Sequence, residues 1–278
     1  MPVAAPVTIA DVLVGRGQPL YIIAGPCVLE DPAEMLATAA HLAAVCRRLG
    51  LGYCFKSSYR KDNRTSGTSD RGPGADAGLA LLARIRRETG APVLTDVHAP
   101  AECDPAAAVV DVLQIPAFLC RQSSLLEAAG RTGRAVNIKK GQFVAAEDMA
   151  HAVAKVAAAG GERILLCERG SFFGYRDLVV DFRSIKRMRD LGRPVVFDAT
   201  HSVQTPGSTG AATGGVAEMI PLLARCGVTA GADAVFLEVH PEPVRARCDA
   251  ASQLPLEHFE PLVRQLARLR ELHNQEET

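Results

Sequence analysis

The sequence has no net charge, with 31 Lys and Arg residues balanced by 31 Asp and Glu residues over 278 positions. Without a global field of either sign, it is not built to coat nucleic acid or to lie on an anionic membrane. Any anion site must be a local gathering of basic side chains. No apolar run approaches the roughly 20 residues that a membrane-crossing helix needs. The opening MPVAAPVTIADVLVG is apolar, but it lacks a basic leading segment and carries Asp11 where a signal peptide would stay apolar. A cytoplasmic location is expected. The eight cysteines include no C-x-x-C pair, which excludes a zinc ribbon or a thioredoxin-like motif. They are expected to be reduced, buried, small hydrophobes. No Walker-type or G-x-G-x-x-G segment stands at a strand–helix junction, so a nucleotide cradle is excluded as well. No low-complexity linker or shift of composition divides the chain.

Hydrophobic residues are plentiful at 48%, enough in a chain this long to bury a sizeable core without a disulfide or a metal. Short β-branched or apolar runs alternate with longer Ala, Leu and Arg-rich stretches of helical period. The runs predict strands at Tyr21–Ala24, Tyr53–Ser57, Val93–Val97, Val112–Ile115, Val136–Lys139, Ile164–Cys167, Val195–Asp198 and Ala234–Val239. Helices are expected at 32–49, 76–89, 100–108, 122–131, 146–159, 181–191, 214–226 and 257–273, with stops at Gly50, Gly90, Gly130, Gly160, Gly192 and Gly227. Eight β-α units spaced by about thirty residues are the pattern of a closed (β/α)8 TIM barrel. One domain is expected over 1–278, with the barrel at 20–273 and a short N-terminal hairpin at 7–14 capping its bottom. Two long loops follow strands two and seven, a basic one at 58–75 and a Gly/Thr/Ser-rich one at 204–215.

Chemistry in such barrels is built at the C-terminal strand ends. In order these deliver Cys27, Lys56, Asp96 and His98, Gln114, Lys139 and Lys140, Glu168 and Arg169, Asp198 and His201, then Glu238 and His240. A lone lysine in a loop is ordinarily solvated. Several lysines ending apolar strands around one mouth call for a counter-charge, and a small substrate with more than one phosphate or carboxylate supplies it. Cys27, His201 and Glu238 end strands one, seven and eight, which are neighbours in a closed barrel, and Asp249 follows shortly after. One thiolate, one imidazole and two carboxylates suit a divalent transition ion. The alternative is an inert buried cysteine among hydrogen-bonded polar ends. His98 and His240 are weaker candidates, read as orienting or substrate-contacting groups. Asp96 is a candidate partner for a substrate hydroxyl.

Several segments occur together in one order: Ile23-Ala-Gly-Pro-Cys27, Lys56-Ser-Ser, Lys61-Asp-Asn-Arg64-Thr-Ser66, Thr95-Asp-Val-His98, Leu113-Gln-Ile-Pro-Ala-Phe118, Asn137-Ile-Lys-Lys-Gly-Gln-Phe143, Cys167-Glu-Arg-Gly170, Phe197-Asp-Ala-Thr-His-Ser-Val-Gln204 and Glu238-Val-His-Pro-Glu-Pro243. In this arrangement the chain closely resembles the 3-deoxy-D-manno-octulosonate 8-phosphate synthases over nearly its whole length. The resemblance implies condensation of phosphoenolpyruvate with D-arabinose 5-phosphate, with release of phosphate, on the way to the lipopolysaccharide sugar. It also implies a (β/α)8 barrel assembled as a homotetramer. The related 3-deoxy-D-arabino-heptulosonate 7-phosphate synthases typically carry Lys-Pro-Arg-Thr in the second loop; Lys61-Asp62-Asn63-Arg64 is of the pentose-phosphate type.

Carried over by resemblance, Lys139, Arg169 and Gln114 hold the phosphoenolpyruvate phosphate, while Lys56, Ser58 and Lys61 face its carboxylate and the reacting centre. Asn63 and Asp96 meet sugar hydroxyls. Arg64 and Thr65 hold the sugar phosphate, reaching in from a neighbouring subunit. Cys27 with His201, Glu238 and Asp249 matches the metal-dependent branch, whose counterpart has asparagine at the cysteine; Gly141, where that counterpart usually has proline, agrees. The ion implied is Zn, Fe, Mn or Co, and whether it orients the aldehyde or activates water stays open. Lys61 and His201 are the candidates for proton handling, with Cys27 beside them as a catalytic-site residue. Two positions depart from the pattern: Thr65 replaces serine and keeps the hydroxyl, whereas Asp62 replaces alanine and puts a negative charge beside Arg64. Two rival readings are a barrel metallohydrolase acting on a single phosphorylated substrate and a sugar-phosphate binding protein without turnover.

Overall fold

The computed structural model describes residues 5–62, 70–172, 177–206 and 214–276. Eight parallel strands form the barrel: β1 (Tyr21–Gly25), β2 (Gly52–Lys56), β3 (Val93–Asp96), β4 (Val112–Ile115), β5 (Ala135–Lys139), β6 (Ile164–Glu168), β7 (Val195–Asp198) and β8 (Ala234–His240). Each pairs with the next in sequence, and β8 closes the ring on β1, with Ile23 opposite Phe236. On its other side β8 pairs with β7, Asp198 standing opposite Phe236. The strands that end in Cys27, His201 and Glu238 are therefore neighbours, as the order of the units predicts.

The strands are mostly apolar because both of their faces are buried, and their polar residues gather towards the C-terminal ends. Ile23, Cys54, Leu94, Val112, Leu165, Val196 and Phe236 fill the barrel interior. Their sequence neighbours, such as Ile22, Phe55, Leu113, Leu166 and Val235, pack outward under the helices. These are α1 (Pro32–Arg48), α2 (Ala75–Thr89), α3 (Pro100–Ala107), α4 (Ser123–Arg131), α5 (Met149–Ala158), α6 (Arg183–Arg189), α7 (Ile220–Thr229) and α8 (Phe259–Glu276). Alternation thus leaves only strand ends for chemistry. No helix among the described residues is long and apolar enough to cross a membrane.

The hairpin Val7–Ile9 and Val12–Val14 is present, and Val7, Ile9 and Val14 join the interior cluster, plugging the bottom. Arg270 of α8 fastens it there. Its buried guanidinium donates to the Gly15 carbonyl and to Asp233 Oδ1, at 2.7 and 2.8 Å, and to the Gln18 carbonyl at 3.1 Å.

Two expectations are corrected. The helix read at 214–226 begins at Ile220 and runs to Thr229, because Gly214–Gly215 pairs with Gln204–Thr205 as a short antiparallel ribbon. Pro221 suits the first turn of the shifted helix. Gly130 and Gly227 also do not stop their helices but lie within them. A Cβ on Gly227 would come within 2.3 Å of the Phe197 ring, and one on Gly130 within 2.6 Å of the Val156 carbonyl. Close packing, not a left-handed turn, requires glycine at both. The remaining expected helices match within about one turn.

Candidate active site

The Phe236 ring is the floor of the mouth. Lys139 Nζ lies 4.0 Å and Lys56 Nζ 5.4 Å from its centroid, near enough for the ring face to attract both cations. Lys56 donates to Glu238 Oε1 at 2.6 Å and to the Cys27 carbonyl at 2.9 Å, while Lys61 Nζ stands 3.9 Å from the same carboxylate oxygen. Burial works against the Glu238 charge, but Lys56, His201 and Lys61 outweigh it and hold its pKa well below the usual range. Burial likewise opposes the Lys61 ammonium, and facing Cys27 and Glu238 keep its pKa raised.

Asp198 organises the end of β7. Its Oδ1 accepts the His201 backbone N–H at 2.8 Å, turning the chain so that the His201 ring faces back into the mouth. Its Oδ2 takes Lys139 Nζ at 2.6 Å and lies 2.8 Å from His201 Nδ1. A carboxylate only accepts, so the ring proton belongs on Nδ1 and the Nε2 lone pair is left for another partner. Burial lowers the His201 pKa, which favours this neutral ring.

His201 Nε2 is 3.6 Å from Glu238 Oε1, and Cys27 Sγ is 3.6 Å from Asp249 Oδ2. The donor atoms of His201, Glu238 and Asp249 lie within 4.8 Å of one another, as do those of Cys27, Cys248 and Asp249. Among the described residues, Glu238 Oε2 is buried without a hydrogen-bond partner. A neutral imidazole, an unpartnered carboxylate oxygen and a thiol converging on Asp249 fit a divalent ion.

A second wall runs from the loop after β2 to α3. Ser58 Oγ donates to Asp96 Oδ1 in a short contact, and His98 Nε2 lies 3.1 Å from Asp96 Oδ2. Burial opposes the Asp96 charge, yet His98 and Lys61 hold its pKa well below the ordinary value. Behind His98, Glu102 accepts the Tyr59 hydroxyl at 2.7 Å, Arg60 at 2.5 Å and the His98 backbone N–H at 2.9 Å. Asp62 pairs with Arg60 and Arg71, so its carboxylate has cationic partners within its own loop. Asn63, Arg64 and Thr65 lie outside the described residues.

On the opposite wall, Arg169 donates from Nη2 to Gln204 Oε1 at 2.9 Å, while Nη1 is buried and unpartnered among the described residues. Gln114 is buried at the end of β4 and accepts from Asn137 Nδ2 at 3.0 Å. Lys140 does not share the mouth with Lys139. Successive strand residues face opposite ways, and Lys140 is sealed behind the rim, with the carbonyls of Gly141, Val144 and Gly170 each at 3.4 Å and Glu168 Oε1 at 3.6 Å. His240 is likewise turned from the mouth, its Nε2 3.4 Å from Glu34 Oε1.

The model of the DAHP synthetase I family matches residues 4–274. The chain belongs to that family. Among curated members similar to it, a protein of Syntrophotalea carbinolica is 53% identical over 258 residues, covering 93% of each chain. One from Nitratidesulfovibrio vulgaris strain Hildenborough is 55% identical over 249 residues, covering 90% of this chain and 91% of its own. A third, from Geobacter sp. strain M21, is 48% identical over 269 residues, covering 97% and 98%. All three are named 2-dehydro-3-deoxyphosphooctonate aldolase.

In this DAHP synthetase I family member, the structure brings the strand-end residues Cys27, Lys56, Asp96, Gln114, Lys139, Arg169, His201 and Glu238 to one rim, with Ser58, Lys61 and Asp249 joining them from loops. It adds residues that the strand-end reading does not single out. Cys248 adjoins Asp249 in sequence, which is a usable signal. Glu102 follows His98 by four positions, a spacing that puts both on one side of a helical turn. Gln204 has no local signal, because its partners are 35 and 45 positions away.

Proposed function

We propose that this chain condenses phosphoenolpyruvate with D-arabinose 5-phosphate and water, giving 3-deoxy-D-manno-octulosonate 8-phosphate and phosphate, in the cytoplasmic synthesis of the lipopolysaccharide sugar. One observation carries the reading: Lys56, Lys61, Lys139 and Arg169 gather in a buried mouth where Arg169 Nη1 has no partner among the described residues. Such a site attracts a small ligand bearing several negative charges. The relatives' shared name supports the same reaction.

Arg169, Lys139 and Gln114 take the phosphoenolpyruvate phosphate, and Lys56, Ser58 and Lys61 face its carboxylate and the reacting carbons. Asp96 and Asn63 meet sugar hydroxyls, with Arg64 and Thr65 on the sugar phosphate. Two polyanions resist approach, and fixed cations offset that repulsion without reorganising at the moment of reaction. The enol carbon attacks the open-chain aldehyde, water adds to the adjacent carbon, and the resulting phosphate hemiketal expels phosphate. Lys61, kept protonated by Cys27 and Glu238, delivers a proton to the new alkoxide, and His201 is the second group placed for proton transfer. Cys27, His201, Glu238 and Asp249 hold a divalent Zn, Fe, Mn or Co ion, which when bound supplies Lewis acidity for a carbonyl or a water. A homotetramer whose neighbouring subunit completes the sugar-phosphate site belongs to this reading, supported by Phe118 and Phe143, 57% and 59% exposed beside the mouth.

The test is phosphate release with each substrate alone and with both together. Release that needs both is expected. Release from one phosphorylated compound would favour a metallohydrolase, and binding without release would favour a carrier.

A further inference from the structure

We infer that Gln204 is a positioning residue that holds the Arg169 guanidinium and the Asp249 carboxylate apart while orienting each for its own ligand. The inference rests on the reading above, in which Arg169 takes a phosphate and Asp249 an ion. Gln204 begins the short ribbon with Gly214–Gly215, and its side chain is buried between Arg169 and Asp249. Its Oε1 accepts from Arg169 Nη2 at 2.9 Å, and its Nε2 donates to Asp249 Oδ2 at 3.2 Å.

The amide has only one way to sit. A guanidinium donates and never accepts, and a carboxylate accepts and never donates, so the oxygen must face Arg169 and the NH2 must face Asp249. Turned over, it would set donor against donor and acceptor against acceptor, two repulsive contacts in place of two hydrogen bonds.

A neutral side chain is thereby wedged between opposite charges that would otherwise meet. Arginine and carboxylate prefer a direct two-pronged pair, and that pair would consume both groups. Arg169 would lose its Nη1, which has no partner among the described residues, and Asp249 would be drawn from Cys27, whose Sγ is 3.6 Å from its Oδ2. Gln204 gives each charge one hydrogen bond, enough to fix its direction without neutralising it. Anion wall and ion site are therefore built around one amide.

The variants are Gln204→Ala, which opens room for the direct pair, and Gln204→Met, which keeps the volume but loses both hydrogen bonds and guards against failure of the first to fold. Two affinities are read by binding alone. Phosphoenolpyruvate is titrated by calorimetry into metal-stripped protein, and Co or Zn by competition with a chromophoric chelator without phosphoenolpyruvate. Each dissociation constant is expected to rise about tenfold, the loss of one hydrogen bond to a charged group. In an Arg169→Met background, Gln204→Met should change phosphoenolpyruvate binding by less than about twofold, because the partner through which it acts is gone. A loss on one side only, no loss on either, or an additive loss beside Arg169→Met would overturn the inference. Wild-type protein that fails to bind phosphoenolpyruvate would instead overturn the functional reading on which the inference stands.

Discussion

Lys56 and Glu238 form a salt bridge that solvent does not reach: Nζ stands 2.6 Å from Oε1, and the two side chains expose 1% and 0% of their surface. The bridge links β2 and β8, the two neighbours of β1, and passes beside the Cys27 carbonyl. Removing one partner of such a pair strands a buried charge. Lys56→Met should therefore destabilise the fold by about 3–5 kcal/mol in urea unfolding, since Lys61 at 3.9 Å is too far to replace it. Adding Glu238→Met should recover part of that loss, because the charges of the pair are gone although buried Lys61 loses a facing carboxylate. A double variant no more stable than Lys56→Met would show that the bridge holds the strands by packing rather than by charge.

The proposed ion ligands Cys27, His201, Glu238 and Asp249 lead to a second expectation. Chelation should abolish turnover, and Mn, Fe, Co or Zn should restore it to different extents. Cobalt-loaded protein should show sulfur-to-metal charge-transfer absorption that vanishes in Cys27→Ala. Full activity in protein found metal-free by elemental analysis would refute the requirement.

The contrast between the two anion sites is tested at Arg64. A guanidinium–phosphate contact is worth ~1.5–3 kcal/mol, roughly a tenfold to 150-fold change. Arg64→Ala should cost that much in kcat/KM for arabinose 5-phosphate, while the Kd for phosphoenolpyruvate, held by Lys139 and Arg169, moves little. Equal losses for both would mean that Arg64 shapes the loop instead.

His98 provides a pH signature. Burial lowers its pKa, but Asp96, 3.1 Å from Nε2, and Glu102, 3.4 Å from Nδ1, raise it further than burial and Arg60 pull it down. The net value lies above the ordinary 6.5. A raised imidazole pKa stabilises the fold fully below the unfolded value, and the contribution fades as pH climbs through the folded value. Urea-unfolding free energies of wild type and His98→Asn should therefore differ most at about pH 6 and converge towards about pH 9. A difference constant over that range would assign His98 a packing role.

The barrel itself was legible in the sequence for a simple physical reason. A strand buried on both faces is largely apolar, so Val112–Ile115 and Val195–Asp198 stand out between polar helices and carry their first amide or charged group, Gln114 or Asp198, only in their last two positions. Chain order then makes the ends of β1, β7 and β8 neighbours. Spacing does not reveal which way a rim side chain turns. Lys139 and Lys140 are adjacent and chemically identical, yet one lies over Phe236 and the other is locked behind the rim by carbonyls. Glycine is ambiguous for a related reason: Gly160 takes a left-handed turn, whereas Gly227 makes room for Phe197, and both read alike as helix stops.

Beneath the barrel, the contacts of Arg270 have a consequence for the order of assembly. The side chain that fastens Gly15 and Gln18 emerges in synthesis more than 250 residues after them, behind every barrel strand. Until it arrives, Asp233 lacks its cationic partner and the hairpin plug has no clasp from α8. A growing chain can pair its early strands, but the closure that seals the lower end must wait for the last helix. That delay leaves the apolar barrel interior open to solvent and to chaperones for most of its time on the ribosome.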